Sequence, residues 1–189
     1  EKSVTAGGEI RKLPPPFFVL ATQNPIDQEG TYPLPEAQLD RFFFKLLVTY
    51  PSAAELAEII NRTTENSPQK VEKVLDKETL LEMQALVREV PVPSHVKDYA
   101  VRLVLATHPG TETAVDVANQ YLRFGSSPRG AQSMILAAKV FALTERRFNV
   151  GFDDIKGVVM AALRHRLILN FEAQAEAITT DHIISKILD

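Results

Sequence analysis

Two continuous apolar runs occur in the first part of the chain, Phe17–Ala21 and Phe42–Val48. Such runs are typical of strands that are buried on both faces of a parallel sheet. Between them, a proline and a glutamate at its start favour a short helix over about 35–41. Ahead of both runs, the pair Gly7–Gly8 supplies the positive backbone angles of a tight turn, so residues 1–13 are predicted to form a β-hairpin.

The pattern changes to a helical period after Ser52, where apolar residues recur every three or four positions. The helix that begins near Pro128 has a broad apolar face and is therefore expected to lie in a core. No repeat of solenoid length is present. The predicted helices cover 53–65, 76–90, 95–107, 114–123, 128–147, 153–168 and 180–188.

These patterns together predict an α/β fragment followed by an all-α region, with residues 1–51 in the first part and 52–189 in the second. Two strands and one helix cannot bury each other's apolar faces, because a parallel sheet needs further strands and helices on both sides. We therefore expect the α/β core to continue upstream of Glu1.

Composition narrows the classes of partner. Apolar residues make up 45% of the chain and charged residues 24%, as in ordinary globular proteins. The net charge of −3 has its signs interspersed, which makes nucleic acid an improbable partner and argues against binding to a membrane. The chain has no cysteine, no signal-peptide pattern and no apolar run that could cross a bilayer, so we expect a cytoplasmic protein.

Two polar residues are candidates for a functional site, Asn24 after the first apolar run and Arg41 at the end of the short helix. Asn24 comes directly after the first run, at the end of a strand where α/β sheets bind ligands, and its amide is able to hold a water against a phosphate. The alternative is that Asn24–Pro25 simply starts a turn. Arg41 presents a five-donor fork suited to a neighbouring subunit's phosphate, or it only complements the dipole at the helix C-terminus.

Arg129 is the residue that local physics explains least. Ser127 is predicted to be the N-cap of a helix and Pro128 its first residue, which places a permanent cation in the first turn, where the helix dipole is already positive. This arrangement is unfavourable by a few tenths of a kcal/mol unless an anion lies nearby, so a bound phosphate is a natural partner. The alternatives are that Arg129 points into solvent or pairs with a carboxylate of the helical region.

Other motifs carry less. The spacing of Gly125 and Gly130 matches a P-loop, but Ala131 and Gln132 stand where lysine and serine or threonine are required. The pair Asp153–Asp154 follows a helix N-cap pattern and is interpreted as capping rather than metal-binding. The histidines lack metal-ligand spacing, so no metal site is expected in this chain. His165–Arg166, near a predicted helix end, suggests a dipole complement or an inter-domain contact.

Three strings together resemble the MoxR family of AAA+ ATPases, and the resemblance covers nearly the whole chain. They are Phe17–Pro25 (FFVLATQNP), Gly30–Phe42 (GTYPLPEAQLDRF) and Gly125–Arg129 (GSSPR). The resemblance implies that Asn24 is the sensor 1 residue, Arg41 the arginine finger that acts across a subunit boundary, and Arg129 the sensor 2 arginine of the lid. It also makes residues 1–51 the C-terminal portion of a P-loop AAA+ core and residues 52–189 the helical lid domain.

The same resemblance implies a function. Family members bind ATP and Mg²⁺ through Walker A and Walker B segments, which this chain lacks and which we expect upstream of Glu1. The 189 residues alone are therefore expected to lack ATPase activity. The intact protein would form a homo-oligomeric ring, a hexamer, in which ATP hydrolysis at subunit interfaces drives chaperone-like remodelling of clients, including von Willebrand factor A domain proteins. Two alternatives remain open, a non-enzymatic helical interaction module and a DNA-remodelling relative of the same superfamily.

Overall fold

A computed structural model describes residues 3–23, 34–64 and 72–189. These residues group into two compact units, one from Glu1–Phe18 and Leu46–Met83, the other from Val19–Lys45 and Gln84–Asp189. The elements are, in chain order, β1 (Ser3–Ala6), β2 (Glu9–Lys12), α1 (Glu36–Leu39), α2 (Ala53–Thr64), α3 (Lys77–Glu89), α4 (Ser94–Ala106), α5 (Asp116–Tyr121), β3 (Leu122–Phe124), α6 (Pro128–Thr144), α7 (Phe152–Leu163), β4 (Ile168–Leu169), α8 (Phe171–Ala175) and α9 (Thr180–Leu188).

The first unit contains the predicted hairpin. Strands β1 and β2 are antiparallel, with Ser3 opposite Lys12 and Ala6 opposite Glu9. The glycine pair makes the turn with φ angles of 62° and 82°, which glycine adopts without steric cost. The prediction of a hairpin over residues 1–13 is therefore confirmed for the described residues.

The two apolar runs do not form the predicted strands. Backbone around Phe18 and Leu20 and around Val48 is irregular, and these side chains are 78%, 83% and 95% exposed. A strand exists only where a neighbour pairs with its N–H and C=O groups, and no described strand lies alongside either run. Within the two runs Phe42 and Phe44 are half-buried, and Phe44 packs against the core of the second unit.

The helical second part is confirmed. Its core is formed by α4, α6, α7 and α9, and the α6–α7 contact is the most extensive. The helix predicted over 153–168 ends at Leu163, and a short antiparallel pair, β3 with β4, joins Leu122 to Leu169. Helix α8 was not predicted because it is too short to show a period; it begins where Asn170 Oδ1 accepts from Ala173 N at 2.9 Å. None of the described helices is long and apolar enough to cross a membrane.

Gly130 allows α6 to approach α7 closely. A Cβ atom at this position would lie 2.7 Å from Leu163 Cδ2 and would also overlap the Ser126 hydroxyl. Both neighbours are buried, so neither yields easily. The glycine in the P-loop-like spacing is therefore explained by packing.

We expect Gly130→Ala to lower the free energy of unfolding by about 1–3 kcal/mol, because the added methyl group overpacks the α6–α7 contact. Gly157→Ala is the matched control. A Cβ atom there lies 3.7 Å from Phe141, an ordinary contact, so alanine should stabilise helix α7 by about 0.5–1 kcal/mol. Urea unfolding of both variants measures the difference, and destabilisation of similar size in both would contradict this account.

Candidate functional site

The two predicted arginines are both next to Asp40, Arg41 along the chain and Arg129 through an ion pair. Arg41 is its neighbour in the chain, and Arg129 Nη1 donates to Asp40 Oδ2 at 2.9 Å. The side chain of Arg129 is 57% exposed and that of Asp40 17% exposed. Arg129 is thus joined by an ion pair to the residue that directly precedes Arg41.

Asp40 is held at the end of a single helical turn. Its N–H donates to Glu36 O at 2.9 Å as the C-cap of α1, and the next residue, Arg41, donates to Gln38 O at 3.2 Å. Ser127 Oγ donates to Asp40 Oδ1 at 2.6 Å. Burial raises the pKa of Asp40, but the hydrogen bonds from Ser127 and Arg129 and the charge of Arg166 outweigh it and leave the pKa below its ordinary value.

The N-terminus of α6 has the predicted cap. Ser127 is the N-cap and its Oγ accepts from Arg129 N at 3.2 Å, with Pro128 as the first helical residue. The anion that complements Arg129 here is the Asp40 carboxylate. This differs from both sequence alternatives, since Asp40 belongs to the segment assigned to the α/β part, not to solvent or to the helical region.

The loop before α6 is fixed from α4. Buried Thr107 donates to Val104 O at 2.6 Å and accepts from Ser126 N at 2.9 Å, and His108 Nε2 lies 2.9 Å from Ser126 O. A Cβ atom at Gly125 would overlap the Thr107 backbone. The cap at Ser127 is therefore presented by a rigid loop.

Arg166 is the buried cation beneath this site. Its side chain is 1% exposed, and its Nε donates to Asp40 Oδ1 at 3.2 Å. Its Nη2 donates to Asp40 O at 3.0 Å and to Phe42 O at 2.7 Å, and its Nη1 lies 3.4 Å from Phe43 O. The guanidinium therefore binds main-chain carbonyls on both sides of Arg41. Its other acceptors are Ala162 O and Ser133 Oγ.

Arg166 acts with the two residues before it, and we call Arg164, His165 and Arg166 the basic clasp. Arg164 pairs with Asp181 through two hydrogen bonds of 2.9 and 2.8 Å and donates to Lys45 O at 3.1 Å. The His165 Nε2 lies 3.1 Å from a carbonyl oxygen of the same segment, that of Phe42. All three side chains thus bind the backbone that follows α1. The sequence suggestion of a contact at His165–Arg166 is realised as contact with residues 40–43.

His165 is the neutral member of the clasp. Its Nε2 faces a carbonyl and so carries the proton, while its Nδ1 is buried with no hydrogen-bond partner among the described residues. Burial lowers the pKa of His165, and the charges of Arg166 and Lys45 lower it further, against the backbone bond to Phe42 and the charge of Asp40. The uncharged form is therefore the stable one.

The comparisons with known proteins decide the family. Residues 1–44 match the family model for the ATPase family associated with various cellular activities (AAA), and residues 115–187 match the AAA lid domain. Chaperone MoxR1 of Mycobacterium tuberculosis is 40% identical over 100% of this chain and 50% of its own length. The chain belongs to the MoxR family of AAA+ ATPases.

Two further proteins are similar to this MoxR-family chain over almost its whole length. The uncharacterised protein YeaC of Bacillus subtilis is 39% identical over 100% of the chain and 56% of its own length. A crystal structure of a candidate ATPase from Cytophaga hutchinsonii superposes with a TM-score of 0.91 at 40% identity, covering 99% of this chain and 57% of that one. The chain spans about half the length of the curated relatives it matches. The predicted fold, the C-terminal part of an AAA+ ATPase, is confirmed.

The structure describes two of the three predicted site residues of the MoxR-family chain. Asn24, the proposed sensor 1 residue, lies outside the described residues. Arg41 is exposed just past α1, and Arg129 lies at the start of α6. Sequence reasoning missed Asp40 and underrated Arg166. The available signal was chemical, since an arginine that is buried among apolar helix residues needs a carboxylate or carbonyls to bind.

We expect the MoxR-family chain to lose stability in mild acid through His165. Its pKa is lower when folded than its ordinary 6.5, so the unfolded state binds a proton first as the pH falls. The contribution is complete above about pH 6.5 and falls below it. Asp40, whose pKa is also lowered but from 3.8, loses its contribution only in stronger acid.

Thermal unfolding at about pH 7.5 and about pH 5.5 tests this, with His165→Gln as the control. Glutamine does not titrate and is still able to donate to Phe42 O. The wild-type chain should lose more stability across this interval than the variant. Equal losses would show that His165 is not the group that titrates.

The two arginines on Asp40 should differ in their contribution to stability. Arg129 is exposed, so we expect Arg129→Gln to lower the free energy of unfolding by only about 0.2–1 kcal/mol. Arg166 is buried, and Arg166→Gln leaves carbonyls and a carboxylate without their donor, at about 3–5 kcal/mol. Denaturant unfolding compares them, and equal costs would contradict the assignment of Arg166 as the anchor.

Proposed function

We propose that the protein carrying this chain hydrolyses ATP at the interfaces of a ring of identical subunits and uses the energy to remodel client proteins. The observation that carries the proposal is the Asp40 site, where exposed Arg41 lies between two anchored carbonyls and Arg129 lies in the first turn of a long helix. Family membership supports the same function. A ring of six subunits in the cytoplasm, with von Willebrand factor A domain clients, extends the proposal through resemblance.

Arg41 is the proposed finger. Its side chain is exposed while the carbonyls around it are bound by a buried guanidinium. This combination suits a residue that reaches outward from a rigid base, because a planar five-donor fork stabilises charge on a transferring phosphoryl group only when it is well oriented. In the ring it would act on the nucleotide of the neighbouring subunit.

Arg129 is the proposed nucleotide sensor. It lies at a helix N-terminus, where backbone N–H groups and the dipole favour anions, and more than half of its side chain is exposed. Its bond to Asp40 is an exposed ion pair, which is cheap to break. Asp40 would keep Ser127 and Arg166 as partners when Arg129 turns to a phosphate. We propose this exchange as the link between nucleotide state and lid position.

Asn24 completes the proposed catalytic set by orienting the attacking water. Among the described residues no group of three or more histidine or acidic side chains is placed to hold a metal ion. We propose that the ligands of Mg²⁺, and the lysine that reaches the ATP phosphates, are supplied by Walker segments elsewhere in the protein.

Arg41→Ala in the product of the complete open reading frame should lower ATP turnover on the order of a thousandfold, because the charge-stabilising fork is lost. ATP binding and ring assembly should persist. Arg102→Ala, which removes an exposed arginine of α4, is the matched control and should leave turnover near the wild-type rate.

Unchanged turnover in an assembled Arg41→Ala protein would rule out the finger. The alternative of a non-enzymatic interaction module has its own test, since that open reading frame would then encode no P-loop with lysine followed by serine or threonine. DNA remodelling would require binding that weakens steeply with salt.

A further inference from the structure

Two members of the basic clasp, His165 and Arg166, bind backbone carbonyls next to Arg41, whereas Arg164 binds Lys45 O further along the chain. Through its Nη2, Arg166 donates to the carbonyl oxygens of both Asp40 and Phe42, at 3.0 and 2.7 Å. It also binds the Asp40 carboxylate. These contacts come from one guanidinium that is almost completely buried, so Arg166 restrains the backbone on both sides of Arg41.

Nothing in α1 itself supplies this rigidity. The helix is only four residues long, Glu36–Leu39, and contributes no buried side chain. A single helical turn is marginal on its own, since the cost of nucleation is offset by few hydrogen bonds. The backbone at Arg41 therefore depends on contacts from outside the helix, and Arg166 supplies those to Asp40 O and Phe42 O.

We propose that Arg166 is a positioning residue for ATP hydrolysis, acting through Arg41. The inference rests on the proposed function and adds a residue to it. Arg166 touches no nucleotide, since its guanidinium is buried against protein carbonyls. It orients the finger that serves the neighbouring subunit, and a misplacement of about 1 Å at such a group lowers turnover by as much as a hundredfold.

A purely structural role for Arg166 predicts a different result. Loss of a buried arginine then weakens the whole unit, and nucleotide binding falls together with turnover. Arg164 separates the two accounts, because it is also largely buried, at 14% exposure, and also pairs with an aspartate. Its acceptors are Asp181 and Lys45 O, away from the carbonyls that flank Arg41.

The experiment compares Arg166→Lys with Arg164→Lys in the full open-reading-frame product. Lysine keeps the positive charge beside Asp40 and therefore favours folding, but a single ammonium cannot reach all of the carbonyls. We expect Arg166→Lys to lower kcat by about ten- to a hundredfold with KM and the Kd for ATP unchanged. Arg164→Lys should change kcat by less than about threefold. A milder variant, Ser133→Ala, removes one acceptor of Arg166 and should give a smaller loss in the same direction.

Mixed rings give the decisive readout. Subunits with Arg166→Lys, mixed with subunits whose own P-loop lysine is replaced, should fail to activate the neighbouring site, as Arg41→Ala subunits do. Equal losses of kcat in the Arg164 and Arg166 variants, or a loss of ATP affinity confined to Arg166→Lys, would overturn the inference. If Arg41→Ala itself leaves turnover unchanged, the proposed function fails first, so the two failures are distinguishable.

Discussion

The buried guanidinium of Arg166 is the contact on which the described site depends. A permanent cation that is 1% exposed is tolerated only because a carboxylate and several carbonyls surround it. Most of those acceptors belong to residues 40–43 and one is Ala162 O of α7, so the hydrogen bonds of the cation also join that segment to α7. Asp40 then extends the network to Ser127 and Arg129 at the start of α6. One electrostatic requirement thereby orders both of the arginines that nucleotide chemistry would use.

The network changes the physical meaning of Arg129. A cation in the first turn of a helix calls for an anion, and sequence reasoning inferred a phosphate from that demand. An anion does lie beside Arg129, but in this structure it is the Asp40 carboxylate of the same chain. The dipole argument therefore establishes that an anion is present, without identifying which one. What favours an exchangeable anion is exposure, since Arg129 is 57% exposed while Arg166 has no room to move.

Periodicity and capping predicted the helices well because both are local. The N-cap at Ser127, the hairpin turn at Gly7–Gly8 and the core helix after Pro128 all follow from neighbouring residues. The two apolar runs failed as strands because pairing is supplied by other strands, which a local pattern cannot show. Asp40 and Arg166 are 126 positions apart, and a contact over such a distance leaves no periodic trace. The family strings pointed to Arg41, whereas its anchor is visible only in the fold.

The distribution of burial around Asp40 argues for a division of labour between its partners. Arg166 is buried and makes several hydrogen bonds, so its contact with Asp40 is hard to break. Arg129 is exposed and makes one side-chain hydrogen bond to Asp40. A solvent-exposed ion pair contributes little to stability, whereas removal of one partner from a buried ion pair is strongly destabilising. Of these two partners of Asp40, only Arg129 is exposed enough to bind a nucleotide instead. The contacts of Arg166 to the backbone around Arg41 would then stay in place. Under the proposed function, this difference in burial gives Arg41 a fixed base, whereas Arg129 is able to exchange Asp40 for a phosphate.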